Sequence, residues 1–432
     1  MTRINFFKAQ LALPQRMARQ LPRHVLGVWM ALLLPMLAFT ASPVHAQSAN
    51  AAAPAIRPEV VKSLQASQDA LREGQIEKAL SLAQQAMAMP NISKDEKPYV
   101  LRTLAAAAMQ AKNFGLAIST LETLVQELPD TTLPDQKLAL IESILSASQQ
   151  AQDLERFVKW ARIYLDNEGR NPSVRPVLIQ TLSVLKQHEA VIKEVKVKIK
   201  YDEDFGVKTP ENELRLMAYS QRMLKDDAGY NASLKLLVQR YPSKAYWAEV
   251  IPRVARQANF NIRFDLDLYR LLELTGNMED ANEYTDMANL ALKNGLPAEA
   301  VRVVESAYSS GAFGKGSDAA SHQKLRQQAQ QKLNEDEKAL PALEKSAKDA
   351  NTIASLGDVY ASKQKWDLAL ATYNKAIEMG GLRREAEIKL HAGIALNKLG
   401  KKEDAEKMWD SIQGDPTAIE VAQLWKYLQK AN

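Results

Sequence analysis

Near the C-terminus, Leu356-Gly357-Asp358-Val359-Tyr360 is echoed by Ala392-Gly393-Ile394-Ala395-Leu396, and Trp366-Asp367-Leu368-Ala369-Leu370 by Lys402-Glu403-Asp404-Ala405-Glu406. Both echoes fall at the same offset: 36 residues separate Gly357 from Gly393 and Ala369 from Ala405. A fixed period of this length marks an architecture built from repeated helix pairs. Two antiparallel helices on a short turn cannot bury both apolar stripes alone, but stacking the next pair against them can. Glycine inside a helix costs about 1 kcal/mol relative to alanine. Gly357 and Gly393 therefore imply bulky neighbours packed tightly against them, with Tyr360, Tyr373 and Trp409 as candidates.

The same pattern extends outward. Pro98–Glu127 reads as a clear pair, with Leu101, Leu104, Ala105 and Ala108 in its first helix and Ala117, Leu121 and Leu124 in its second. Ser63–Met89 is a pair broken at Gly74, and Leu138–Asn167 and Val174–Lys200 are weaker pairs. Val195–Lys200 alternates apolar and basic residues, and helix is favoured over a short edge strand there. The expected organisation is a flexible lead-in at 47–56, an N-terminal helical half at 57–200 and a break at 201–210. Middle repeats follow at 211–318, then a long polar helical region at 319–349, and C-terminal repeats with a capping helix at 350–432. In the cap, Ile419, Ala422, Leu424, Trp425 and Leu428 are expected to face inward. The fold class is all-α, an α-solenoid of antiparallel helix pairs.

Leu356-Gly357, Tyr360, Trp366, Ala369, Tyr373 and Ala376 resemble the tetratricopeptide repeat, as do Ala392-Gly393, Leu396, Gly400, Ala405, Trp409 and Pro416. Phe157 and Val191 depart from it, standing where the family usually has alanine. A looser resemblance covers about 238–311, where Val238-Gln239-Arg240-Tyr241-Pro242, Ala245-Tyr246-Trp247, Leu268-Tyr269-Arg270-Leu271 and Met287-Ala288-Asn289-Leu290-Ala291 are similar to periplasmic repeat proteins associated with TonB-type systems. The resemblance implies a groove lined by the first helix of each pair, and it places Asn282, Asn289, Lys293, Asp358, Ser362, Asn397 and Lys398 there, with Arg256 extending the row. Amide side chains suit a peptide backbone because each offers a donor and an acceptor. Asp358 interrupts the cations that a carboxylate-gripping groove would need.

The chain opens with Arg3, Lys8, Arg16, Arg19 and Arg23, an apolar run from Val25 to Ala41, and Ser42-Pro43-Val44-His45-Ala46. This order predicts a cleavable export signal over 1–46, with Met17 as an alternative start. Gln47 follows the cut instead of cysteine, which closes the lipoprotein route. The apolar run is short for a membrane span and contains Pro35. Periplasmic localisation is the expectation, with no span after cleavage.

The formal charge of +5 then belongs to the leader, whose five cations stand without an anion; 51 Lys and Arg against 51 Asp and Glu remain. That balance argues against a nucleic-acid surface. The absence of cysteine excludes disulfides and thiolate zinc. His188, His322 and His391 are too far apart in sequence for a helical metal pair, and each reads as a surface or groove histidine. Gly314-Lys315-Gly316 is too short for a phosphate loop, and no nucleophile elbow occurs. Asp202/Asp204 and Glu335/Asp336/Glu337 read as solvated charge. No catalytic residue, cofactor or metal is expected. The leading reading is a scaffold for a protein or peptide in the cell envelope, with TonB-system components as the expected setting. The competing one is an envelope enzyme or chaperone-like carrier acting on cell-wall or secreted polymers through 201–275.

Overall fold

The computed structural model describes residues 56–129 and 131–431, so the leader and nearly all of the lead-in lie outside it. The described residues form twenty α-helices and no strand. They divide into two compact units between Lys198 and Ile199. None of the described helices is long and apolar enough to cross a membrane.

The first unit holds α1 (Pro58–Arg72), α2 (Ile76–Met87), α3 (Lys97–Gln110), α4 (Phe114–Gln126), α5 (Pro134–Gln150), α6 (Leu154–Asp166), α7 (Val174–Val184) and most of α8 (His188–Asp204). The alternating stretch Val195–Lys200 is helical, inside α8. Successive helices from α1 to α7 pack against one another. In α6 the buried residues Phe157, Val158, Trp160, Ala161 and Tyr164 recur at helical spacing and form one apolar stripe. Phe157 and Val191 are both buried, so larger side chains fill the space that alanine would leave.

The second unit runs α9 (Glu211–Met223), α10 (Asp227–Arg240), α11 (Lys244–Ala255), α12 (Asp265–Leu274), α13 (Ala281–Lys293), α14 (Pro297–Ser310), α15 (Ala319–Ser346), α16 (Ala350–Ser362), α17 (Trp366–Met379), α18 (Glu385–Lys398), α19 (Lys402–Asp410) and α20 (Pro416–Ala431). α8 continues to Asp204, so the first residues of the break read at 201–210 are helical. Asp202 is buried, whereas the sequence reading placed it among solvated charges; only its neighbour Asp204 is exposed. The two carboxylates sit two positions apart on one helix and so face different sides.

One turn joins most pairs. Gly74, Lys112, Gln152, Lys186, Lys225, Gly276, Gly295, Gln364 and Gly400 all have φ between 56° and 76°. The amide after each donates to a carbonyl five residues back, for example Asn113 to Ala108 at 2.8 Å and Lys365 to Tyr360 at 2.9 Å. This Schellman-type closure satisfies the orphan carbonyls at the helix end. The next helix often starts at once on a capping side chain. Asn113 accepts from the Leu116 amide at 3.2 Å, Asp153 from Arg156 at 3.1 Å and Asp226 from Gly229 at 2.9 Å.

The mid-helix glycines have the bulky partners their cost requires. A Cβ on Gly357 would lie 2.6 Å from the Tyr373 ring, and one on Gly393 would overlap the Trp409 indole. Tyr360 plays no such part; its hydroxyl donates to Glu344 of α15 at 2.7 Å.

α20 does more than shield the last pair. It packs on α18 and α19, and it also reaches back to α10 and α12. Lys235 of α10 pairs with Glu420 at 2.5 Å, and the Asn261 amide donates to the Thr417 hydroxyl at 3.0 Å. Ala422, Leu424, Trp425 and Leu428 are buried as expected, but Ile419 is 48% exposed. The rest of the stripe is shared between two packing partners, and Ile419 falls outside both.

Candidate functional site

The return of α20 toward α12 leaves a cavity of about 300 Å³ inside the second unit. α12, α14, α16, α17, α18 and α20 all contribute to its wall. Helical spacing aims several charges inward. Asp267 and Arg270 lie three residues apart on α12, as do Glu299 and Arg302 on α14.

These charges form a nearly closed network. The Arg270 guanidinium donates twice to Glu299, from Nε at 2.8 Å and from Nη2 at 2.6 Å, and its Nη1 donates to Asp267 at 2.8 Å. Arg302 donates to Glu273 at 2.5 Å and lies 3.7 Å from Glu299. The fork of arginine matches a carboxylate in two bonds at once, a geometry lysine cannot supply.

His391 of α18 bridges two other helices. Its Nδ1 lies 2.8 Å from Asp358 of α16 and its Nε2 lies 3.3 Å from Asp267 of α12. Burial by itself would push the imidazole down, but the two carboxylates outweigh it and hold it well above the ordinary histidine value. Burial pushes the Asp267 carboxyl up, and His391 with Arg270 outweighs that and holds it below its usual range. Asp358 also accepts from the buried Tyr373 hydroxyl at 2.7 Å. Glu387, one turn before His391, is raised by burial, against the pull of His391.

Of the residues assigned to a groove from the sequence, Asp358, Ser362 and Lys398 line this cavity. The Asp358 charge is used internally, by Tyr373 and His391, and the Ser362 hydroxyl donates to the Val359 carbonyl at 2.8 Å. Asn397 is half-buried and does not line the cavity. Asn282, Asn289 and Lys293 are exposed along α13, and Arg256 is exposed just after α11. Lys293 acts at a distance on Asp265, whose carboxyl is pushed up to about 6 by burial, against the lysine charge.

Sequence reasoning missed Asp267, Arg270, Glu273, Glu299 and Arg302, and it placed His391 on a surface or in an ordinary groove. The available signal was the pair of carboxylate–arginine spacings on α12 and α14, which resembles ordinary surface charge until the helices face each other. His322 is also buried, stacked on Phe313 with ring centroids 4.0 Å apart. Among the described residues, no group of histidine and carboxylate side chains is arranged to hold a metal.

Residues 355–417 match the profile of the tetratricopeptide repeat family. No curated protein matches the chain. Among solved structures, a tetratricopeptide repeat protein from Parabacteroides merdae ATCC 43184 is 13% identical, with 78% of this chain and 99% of that one covered and a TM-score of 0.29. Yeast Tom70 is 12% identical, with coverages of 86% and 89% and a TM-score of 0.25. The TPR2AB domain of yeast Sti1, solved as a complex with pHSP90, is 13% identical, with coverages of 86% and 98% and a TM-score of 0.23. Superpositions this distant carry no argument, and the assignment rests on the matched residues and the helix pairs themselves. The 36-residue period, the glycines seated against aromatic rings and the recurring turn agree with that match: residues 355–417 are tetratricopeptide repeats.

Proposed function

We propose that this protein is an exported scaffold that holds an extended segment of a protein partner in the cell envelope, with TonB-type transport as its setting. Tetratricopeptide repeats provide surfaces for protein–protein interaction, and stacked helix pairs present such surfaces without a catalytic centre of their own. The supporting observation is the face of α13. Asn282, Asn289 and Lys293 are exposed there at spacings of seven and four residues, which align along one side of a helix. Amides and a cation in a line can pair with successive polar groups of an extended chain. The basic leader, the apolar run from Val25 to Ala41 and the small residues before Gln47 support export.

A photo-crosslinking residue at position 282, in intact cells, tests this reading. One defined envelope protein should be captured, and N289D/K293E should reduce its capture at least fivefold while leaving the helical spectrum and melting temperature unchanged. Undiminished capture by that variant, or crosslinks to glycan alone, would refute it.

A further inference from the structure

The last two turns of α8 and the turn that ends it carry a row of apolar side chains facing solvent. Val197, Tyr201 and Phe205 stand at four-residue steps, one above the other along one side of the helix. The Phe205 amide still donates to the Tyr201 carbonyl at 3.2 Å, so the row is helical to its end. The Tyr201 and Phe205 rings lie side by side, with centroids 4.7 Å apart. Val207 follows the turn at Gly206, and all four side chains are between 42% and 67% exposed. Nowhere else among the described residues do exposed large apolar side chains gather so closely along the chain. Singly exposed apolar residues are ordinary, but a contiguous group marks a contact surface.

Charges beside the row select its occupant. Glu194 and Glu203 are already paired, with Arg175 and Arg240. Lys200 and Asp204 lie one turn apart along the edge of the row, both exposed, and neither has an ion partner within 4.0 Å among the described residues. An anionic bilayer would attract the lysine but repel Glu203 and Asp204 beside the rings. The occupant that fits carries both signs in the reverse order, and a second α8 running antiparallel does so. With the two-fold axis beside Tyr201, Tyr201 meets Tyr201 and Val197 meets Phe205. Lys200 of each copy then comes within about 3 Å of the other copy's Asp204 along the helix axis. The four apolar side chains would bury roughly 800 Å² over both copies, the size of a weak and reversible contact. We propose that the exposed row of α8 is a self-association surface, through which two copies of this chain pair antiparallel about Tyr201 as a reversible dimer. The surface uses no residue of the α13 face and stands whether or not that face binds a protein.

Sedimentation equilibrium of the protein, purified in the form that cells accumulate, reads the association. A reversible monomer–dimer equilibrium is expected, with a dissociation constant in the micromolar to submillimolar range. Y201S/F205S changes only exposed side chains; it should weaken dimerisation at least tenfold and leave the melting temperature of dilute protein unchanged. K200D and D204K should each weaken it about fivefold, because each sets like charges together across the axis. K200D/D204K restores opposite signs there and should return the constant to within about twofold of the parent. The proposal is overturned if the chain stays monomeric up to submillimolar concentration, if the dimer persists unweakened in Y201S/F205S, or if the double exchange fails to restore what the single ones lose. A monomer that floats with phosphatidylglycerol vesicles, and no longer does so in Y201S/F205S, would assign the row to a membrane and overturn it equally.

Discussion

Gly393→Ala should destabilise the second unit even though it improves the helix. Alanine recovers about 1 kcal/mol of helix propensity. The new methyl would lie 2.7 Å from Cε2 of Trp409 and nearer still to Nε1, and Trp409 is 3% exposed with no free space to enter. Overpacking of this kind costs about 1–3 kcal/mol. If the indole swings aside, its donation to the Leu390 carbonyl at 3.1 Å is also lost. That strands buried polar groups at a further cost of about 1–3 kcal/mol. With the indole displaced, the balance is a loss of about 1–5 kcal/mol; with it held in place, about 0–2 kcal/mol. Gly115, in α4, is the control, because nothing lies within 4 Å of its would-be Cβ. Gly115→Ala should be neutral or stabilising by up to about 1 kcal/mol. Urea unfolding followed at 222 nm, with amide exchange across 385–410, reads both variants. If Gly393→Ala matched or exceeded the parent, close helix approach would not be the reason for the glycine.

Glu299→Gln should cost up to about 3–5 kcal/mol, because it removes one carboxylate from the partly buried Arg270 and leaves that cation underpaired; replacing both partners with apolar residues should cost much less in the same urea titration. Two histidine and glutamate substitutions should change the pH dependence of melting in opposite directions. The raised His391 contributes stability that is whole below its unfolded value of about 6.5 and is lost as pH rises through the higher folded value, so His391→Gln should flatten the alkaline limb. Glu96 is lowered to about 2, first by its hydrogen bonds from the Arg57 side chain and then by the Ser93 and Arg57 amides, so its contribution is whole above 4.5 and lost as pH falls toward 2; Glu96→Gln should flatten that acid limb. Gln364→Gly should stabilise by a few tenths to about 1 kcal/mol, since Gln364 holds φ at 58° where glycine carries no Cβ penalty; a Gln364→Ala variant that gained as much would refute the backbone argument.

The helix pairs were most legible where glycine or alanine marks the sites of close approach. Gly357 and Gly393 repeat because each meets an aromatic ring that excludes anything larger, and Ala369 and Ala405, both fully buried, repeat at the same period. The weaker pairs hid for an equally local reason. Their turns adopt the same left-handed residue, but Gln152 and Lys186 occupy it in place of glycine, so the usual punctuation is missing while the hydrogen bond that closes the turn remains. Phe157 and Val191 weakened the resemblance of α6 and α8 to the family, because larger buried side chains stand there in place of alanine.

Sequence by itself determined the α-helical class, the period and the inward face of most helices, because those depend on spacing along one chain. Only the tertiary structure decided the cavity. Asp267, Glu299, Asp358 and His391 belong to four helices spread over more than 120 residues, and nothing in their local spacing joins them. They meet because α20 folds back from Thr417 and Glu420 onto Asn261 and Lys235. Whether a charge is solvated, paired or left waiting for a partner is set by what the fold brings within a few ångströms, since charge interactions fall off with separation in space and take no account of separation along the chain.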